Sequence, residues 1–127
     1  MKIKTSELTG TALDWAVAKC EGVIAQGVYG TPVLMESGLH LHYCDILLSH
    51  PYSPSTDWAQ GGTLIQREGI SIRQYGDFLE SRWQADKWAF KFVYPMATGA
   101  TPLIAAMRCL CHSKLGEEVD IPDELLP

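Results

Sequence analysis

Ten residues, Ser53-Pro54-Ser55-Thr56-Asp57-Trp58-Ala59-Gln60-Gly61-Gly62, gather short hydroxyls, a carboxylate, an amide, an indole and a glycine pair between two apolar segments. Pro54 fixes its own φ and pushes Ser53 towards an extended conformation, so the spacing predicts a loop. Ser55, Thr56 and Asp57 are residue types that accept from the unpaired N–H groups at a helix start. Gly61 and Gly62 would let the backbone approach a ligand, with N–H groups turned outwards as at anion-binding helix starts. Trp58 is either the core anchor of a capped turn or a ring offered to a planar ligand. The stretch lacks the spacing of a P-loop or a dinucleotide fingerprint, because no Gly-Lys-Ser/Thr follows the glycine pair.

Four chemistries can be built on these residues. A small-ligand module would stack a planar ring on Trp58 or Trp15 and clamp a phosphate or carboxylate in the fork of Arg108 or Arg67. Ser55, Thr56, Gln60, the N–H groups around Gly61 and the helix start at Thr101 would complete the polar contacts. A hydrolase would use Asp57 as base and Ser55 or Thr56 as nucleophile, with His50 or His112 beside them; no Gly-x-Ser-x-Gly elbow supports it. A metal site would take His40, His42 and Cys44 from one strand face, with His50. No carboxylate at fixed spacing accompanies them, so neither a metal nor a cofactor is expected. The last is a protein-docking module that presents its aromatics to a partner. A ligand module should set Trp58, Arg108 and the Thr101 helix start around one concave pocket, whereas a docking protein should leave its aromatics on a flat face.

The elements that must position these groups follow from periodicity. Thr9 or Thr11 starts a helix running to about Cys20, with Gly22 as its stop. Leu13, Ala16, Val17 and Cys20 form its stripe, and Trp15 on the opposite side makes it apolar almost all round, so it is either sandwiched or offers Trp15 to a partner. Val33–Met35 and Leu39–Leu48 read as strands around a turn at Glu36-Ser37-Gly38. Thr63–Glu68 reads as a short helix capped by Gly69, and Ile70–Arg73 as a strand. Gly76-Asp77 and Ala85-Asp86 read as turns around Phe78–Trp83, and Trp88–Tyr94 as a strand ended by Pro95. Thr101 and Pro102 open a last helix with a stripe of Leu103, Ile104, Met107, Leu110, Cys111 and Leu115, closed by Gly116; Arg108 and His112 sit one turn apart on its polar side. Helices at both ends flanking short strands predict an α+β fold: a single domain over residues 1–116 with a mostly antiparallel sheet.

The 127 residues carry ten basic and fifteen acidic side chains, a formal charge of −5, which argues against general nucleic-acid binding. Glu117, Glu118, Asp120, Asp123 and Glu124 crowd residues 117–127, which read as a solvated acidic C-terminal tail. No apolar run reaches the roughly 20 residues of a membrane span, and no signal-peptide core follows Met1, so a cytoplasmic protein is expected. Cys20, Cys44, Cys109 and Cys111 show no CxxC pair and are read as reduced thiols.

Four blocks taken in order, Thr5–Gly10, Leu13–Ala18, Tyr52–Trp58 and Pro102–Arg108, resemble the NinX-like proteins carried by tailed phages and prophages of enteric bacteria. The resemblance runs from Lys2 to about Pro122. It implies an accessory protein made in the bacterial host during infection or lysogeny, and carries no activity with it. The combined expectation is a non-enzymatic, homodimeric module that sequesters a small nucleotide-like ligand, with docking onto a host or phage protein as the alternative and a small hydrolase as a second alternative.

Overall fold

A computed structural model describes residues 1–21, 33–35, 38–40, 42–43, 46–47, 52–76, 82–87 and 97–125, and between 33 and 47 it is the backbone that is described. Three helices stand out: α1 (Gly10–Cys20), α2 (Trp58–Glu68) and α3 (Pro102–Leu115). The strands are β1 (Lys2–Lys4), β2 (Val33–Met35), β3 (Gly38–His40), β4 (His42–Tyr43), β5 (Ile46–Leu47), β6 (Ile70–Tyr75), β7 (Arg82–Lys87), β8 (Ala97–Gly99) and β9 (Glu118–Asp120). Every described pairing is antiparallel: β1 with β9, β2 with β3, β4 with β5, and β6-β7-β8 as a three-stranded sheet. The α+β architecture of short antiparallel strands is therefore the one the pattern predicts.

Helix α3 is the element that the rest packs on. Its start is set locally, because Thr101 Oγ1 accepts from the Ile104 N–H at 3.1 Å and Pro102 occupies the first turn. Leu103, Ala105, Ala106, Met107, Cys109, Leu110 and Cys111 are all buried, so the helix is enclosed on most of its circumference. Its neighbours are α1, α2 and the β6-β7-β8 sheet. Full burial of a residue such as Leu110 or Met107 is worth roughly 1.5–3 kcal/mol. Along α1 every residue from Ala12 to Ala18 is buried, and the alanines let the two helices approach closely. Trp15 is only 8% exposed, so α1 is sandwiched rather than offering its indole.

Four local expectations are corrected. The strand expected over Leu39–Leu48 is divided into β3, β4 and β5, with β4 folding back antiparallel on β5. Helix α2 begins at Trp58, not Thr63, because Asp57 caps it and the glycine pair lies inside its first turns. Ala85 and Asp86 are not a turn: they pair with Ile72 and Ser71 within β7, where the cross-strand ladder overrides the Ala-Asp turn tendency. The acidic segment from Glu117 is not a solvated tail. Glu118, Val119 and Asp120 pair with Lys4, Ile3 and Lys2, and Val119, Ile121 and Leu125 are buried in the core. The acids alternate with these apolar residues, so β9 keeps its charges in water while its other face is buried. Gly69 takes φ +65 and closes α2 as expected, a conformation a side chain would strain. The strand expected at Trp88–Tyr94 and the turns at Glu36-Ser37 and Gly22 lie outside the described residues.

Candidate functional site

Residues 53–61 form a tightly tied cap on α2. The Asp57 carboxylate accepts from the Ala59 N–H at 2.9 Å through Oδ1 and from the Gln60 side-chain amide at 3.0 Å through Oδ2. The Gln60 carbonyl oxygen in turn accepts from the Ser53 N–H at 2.9 Å, and the Asp57 N–H donates to the Ser53 carbonyl at 2.8 Å. Asp57 and Gln60 stand at the first and fourth positions of a capping box, but here the amide reaches one turn further back. Both groups expected to meet a ligand are thus engaged with the loop itself.

Ser55 lies underneath, fully buried, and its N–H donates at 2.9 Å to Oδ1 of Asp14 on α1. Burial pushes the Asp14 carboxyl up to about 6, partly offset by its hydrogen bonding to Ser55. The Ser55 hydroxyl oxygen has no partner among the described residues. Gly61 is buried too. A methyl there would meet the Pro54 carbonyl oxygen and come within 2.7 Å of Leu103 Cδ2, so this glycine lets the loop and α3 close on α2 rather than exposing backbone to a ligand. Thr56 is exposed at the turn.

Trp58 is the exception in this stretch. It is 56% exposed at the first position of α2, while the cap beneath it is fixed. A shallow hollow of about 320 Å³ starts one residue along, lined by Glu21, Tyr52, Pro54, Ala59, Gln60, Thr63 and Leu64. Burial, followed by the charges of Glu21 and Asp14, raises the Tyr52 hydroxyl above its ordinary range, so it stays a neutral phenol.

Arg108 is elsewhere. Its Nε–H donates to the Leu8 carbonyl and its Nη1 to the Thr98 carbonyl, both at 2.8 Å. It lines a second hollow of about 330 Å³ together with Lys4, Thr5, Ser6, Ala97, Thr98, His112, Glu117 and Glu118. None of the residues 53–62 reaches this hollow, and Thr101 serves as the cap of α3. Ser55, Thr56, Asp57, Trp58, Gln60 and Gly61 therefore share one cap, Arg108 lines a different hollow, and Thr101 caps α3, whose Leu103 lies against Gly61. Arg108 and His112 do share one wall, as their spacing on the helix predicts.

Arg67 is held at 2.6 Å by Glu21 and at 3.0 Å by Glu68, and Lys87 and Lys114 also reach Glu68, at 2.8 and 3.0 Å. This cation set, Lys87 first, draws the Glu68 carboxyl down to about 2. The cluster joins α1, α2, β7 and α3 and is structural. Its members are scattered through the chain, so no spacing announces it. Asp14 also escaped the sequence reading, although one acid inside the apolar run Ala12–Ala18 is itself a signal of a buried polar contact. No group of three potential metal ligands occurs among the described residues. The side chains of His40 and His42, and all of Cys44 and His50, lie outside them. Cys109 and Cys111 are buried thiols, and burial pushes Cys109 up to about 11.

No helix among the described residues is long and apolar enough to cross a membrane. A family model described as Bacteriophage P22, NinX matches residues 4–114, a span that holds α1, α2 and nearly all of α3. No curated protein matches the chain.

Proposed function

This chain belongs to the bacteriophage P22 NinX family, and on that premise we propose that it works as a non-enzymatic phage accessory protein in the cytoplasm of the bacterial host, docking onto a host or phage protein through Trp58. The observation that carries this is the half-exposed indole standing on a cap whose own polar groups are engaged with one another. A large aromatic presented on a rigid support loses little side-chain freedom on binding and is the residue type that dominates interface energies. With a formal charge of −5 the complementary partner surface is an apolar pocket with a basic rim. The test is capture from phage-infected cells with wild-type protein and a Trp58→Ala variant side by side. One partner retained by the first and lost from the second is the expected result; equal capture by both overturns the docking role.

A second reading is supported by the hollow beside Trp58, where Tyr52, Pro54, Gln60 and Thr63 would hold a small planar molecule against α2. On this reading the protein sequesters a nucleotide-like ligand, such as a host signal, and needs no catalysis. Native mass spectrometry of gently purified protein separates the two. A retained small mass that is lost when Thr63→Trp fills the hollow supports sequestration, a bare chain mass counts against it, and the same spectrum reports the proposed homodimer.

A further inference from the structure

The hollow around Arg108 holds hydrogen-bonding capacity that the described residues leave over. A guanidinium has five N–H donors in a fixed fork. Here the Nε–H is taken by the Leu8 carbonyl and one Nη1–H by the Thr98 carbonyl, both at 2.8 Å. Those two bonds hold the plane of the group still and, among the described residues, leave Nη2 and the second Nη1–H without a partner. Among the described residues no carboxylate lies within ion-pair distance of Arg108. The group is half-buried, and loss of hydration is the cause that lowers its pKa. A cation partly stripped of water and without a direct ion pair stabilises an anion that reaches it.

We infer that this hollow is a binding site for a small organic carboxylate, received by the open Nη1–Nη2 edge of Arg108, with an ammonium or hydroxyl substituent of the ligand turned towards Glu117 and Glu118. The fork matches a planar carboxylate in a two-point contact. Glu117 and Glu118 line the same hollow and balance the charges of Arg108 and Lys4, which favours a ligand carrying a cationic group beside its carboxylate over a dianion such as phosphate. The volume of about 330 Å³ stands at the small end of ligand sites, which suits a molecule of amino-acid size. The site is separate from the Trp58 surface and does not depend on the docking role.

The test uses full-length protein labelled with nitrogen-15, following the arginine Nε–H signals while sodium acetate, glycine or inorganic phosphate replaces sodium chloride at constant ionic strength. The Arg108 signal, identified by its absence from an Arg108→Lys variant, is expected to move saturably with acetate and at several-fold lower concentration with glycine. Because Arg108 also ties Leu8 and Thr98, a second variant keeps those bonds: Ser6→Trp fills the hollow from its lining and is expected to abolish the response. Glu118→Gln is expected to tighten acetate at least twofold. A linear or absent acetate response, or one that persists in Ser6→Trp, overturns the site. Saturation by phosphate alone overturns the carboxylate class, and glycine binding no tighter than acetate overturns the role given to Glu117 and Glu118.

Discussion

The loop over residues 53–61 and the hollow around Arg108 are built from similar polar side chains, yet one is closed on itself and the other is open. In the loop, the Asp57 carboxylate, the Gln60 amide and the Ser55 N–H each meet a partner within the fold. Around Arg108, two carbonyls fix the guanidinium and, among the described residues, the rest of its donors are left over. A cluster of hydroxyls, an acid and glycines is therefore not a binding site by composition. What matters is the number of donors and acceptors remaining after the fold has satisfied its own backbone.

The strongest way to test the closed character of the loop is through its anchor, Asp14. A carboxyl raised from 3.8 to about 6 by burial gives its full stability below the unfolded value and loses it as pH rises towards 6. The shift corresponds to about 3 kcal/mol. Denaturant unfolding should therefore show wild-type stability falling by that order between pH 4 and pH 7, and an Asp14→Asn variant should be flat across the same window. A flat wild-type profile would mean that the loop is wetter than its geometry indicates. Glu68 acts with the opposite sign in a separate window. Its carboxyl is depressed to about 2 by Lys87, Lys114 and Arg67, so its contribution is present above about 4.5 and is lost as pH falls towards 2.

Next in size is Gly61→Ala. The added methyl would run into the Pro54 carbonyl and Leu103, an overpacking cost of about 3 kcal/mol, against a gain of about 1 kcal/mol in helix propensity. A net loss of about 2 kcal/mol by chemical denaturation is expected, and a gain would show that the loop can open. Removing the cap with Asp57→Ala should cost about 1 kcal/mol, read from the same unfolding curves, because the Ala59 N–H and the Gln60 amide lose their acceptor together. Trp58→Ala should move stability by less than about 0.5 kcal/mol while abolishing partner capture. A large stability loss there would return Trp58 to the core and remove the contrast with the rest of its loop.

Much of the frame was legible beforehand. Thr101, Pro102 and Gly116 delimit α3 because capping is decided within a few residues, and the α1 stripe shows in the spacing of Leu13, Ala16 and Val17. The start of α2 was missed because Gly61 and Gly62 argue against a helix on propensity, while the constraint that retains Gly61 is the approach of Pro54 and Leu103 from elsewhere in the chain. The same limit applies to the site. Asp57 and Gln60 look like ligand groups until their partners are known, and Arg108 looks like part of the loop site until Leu8 and Thr98 claim it. The Glu117–Glu124 run was read by charge, whereas the residues that decide its place are the apolar Val119, Ile121 and Leu125 between the acids.

The pairing of β1 with β9 sets an order of events for a chain emerging from the ribosome. Lys2, Ile3 and Lys4 are made more than a hundred residues before their partners Asp120, Val119 and Glu118. At bacterial elongation rates of about 5–20 residues per second, the N-terminal strand waits several seconds for its neighbour. During that interval the core lacks Ile121 and Leu125, which are buried in one cluster with the residues of α1. A translation product stopped just after α3 would retain α1, α2 and α3 and still leave β1 without its partner strand, a natural handle for a chaperone or a protease.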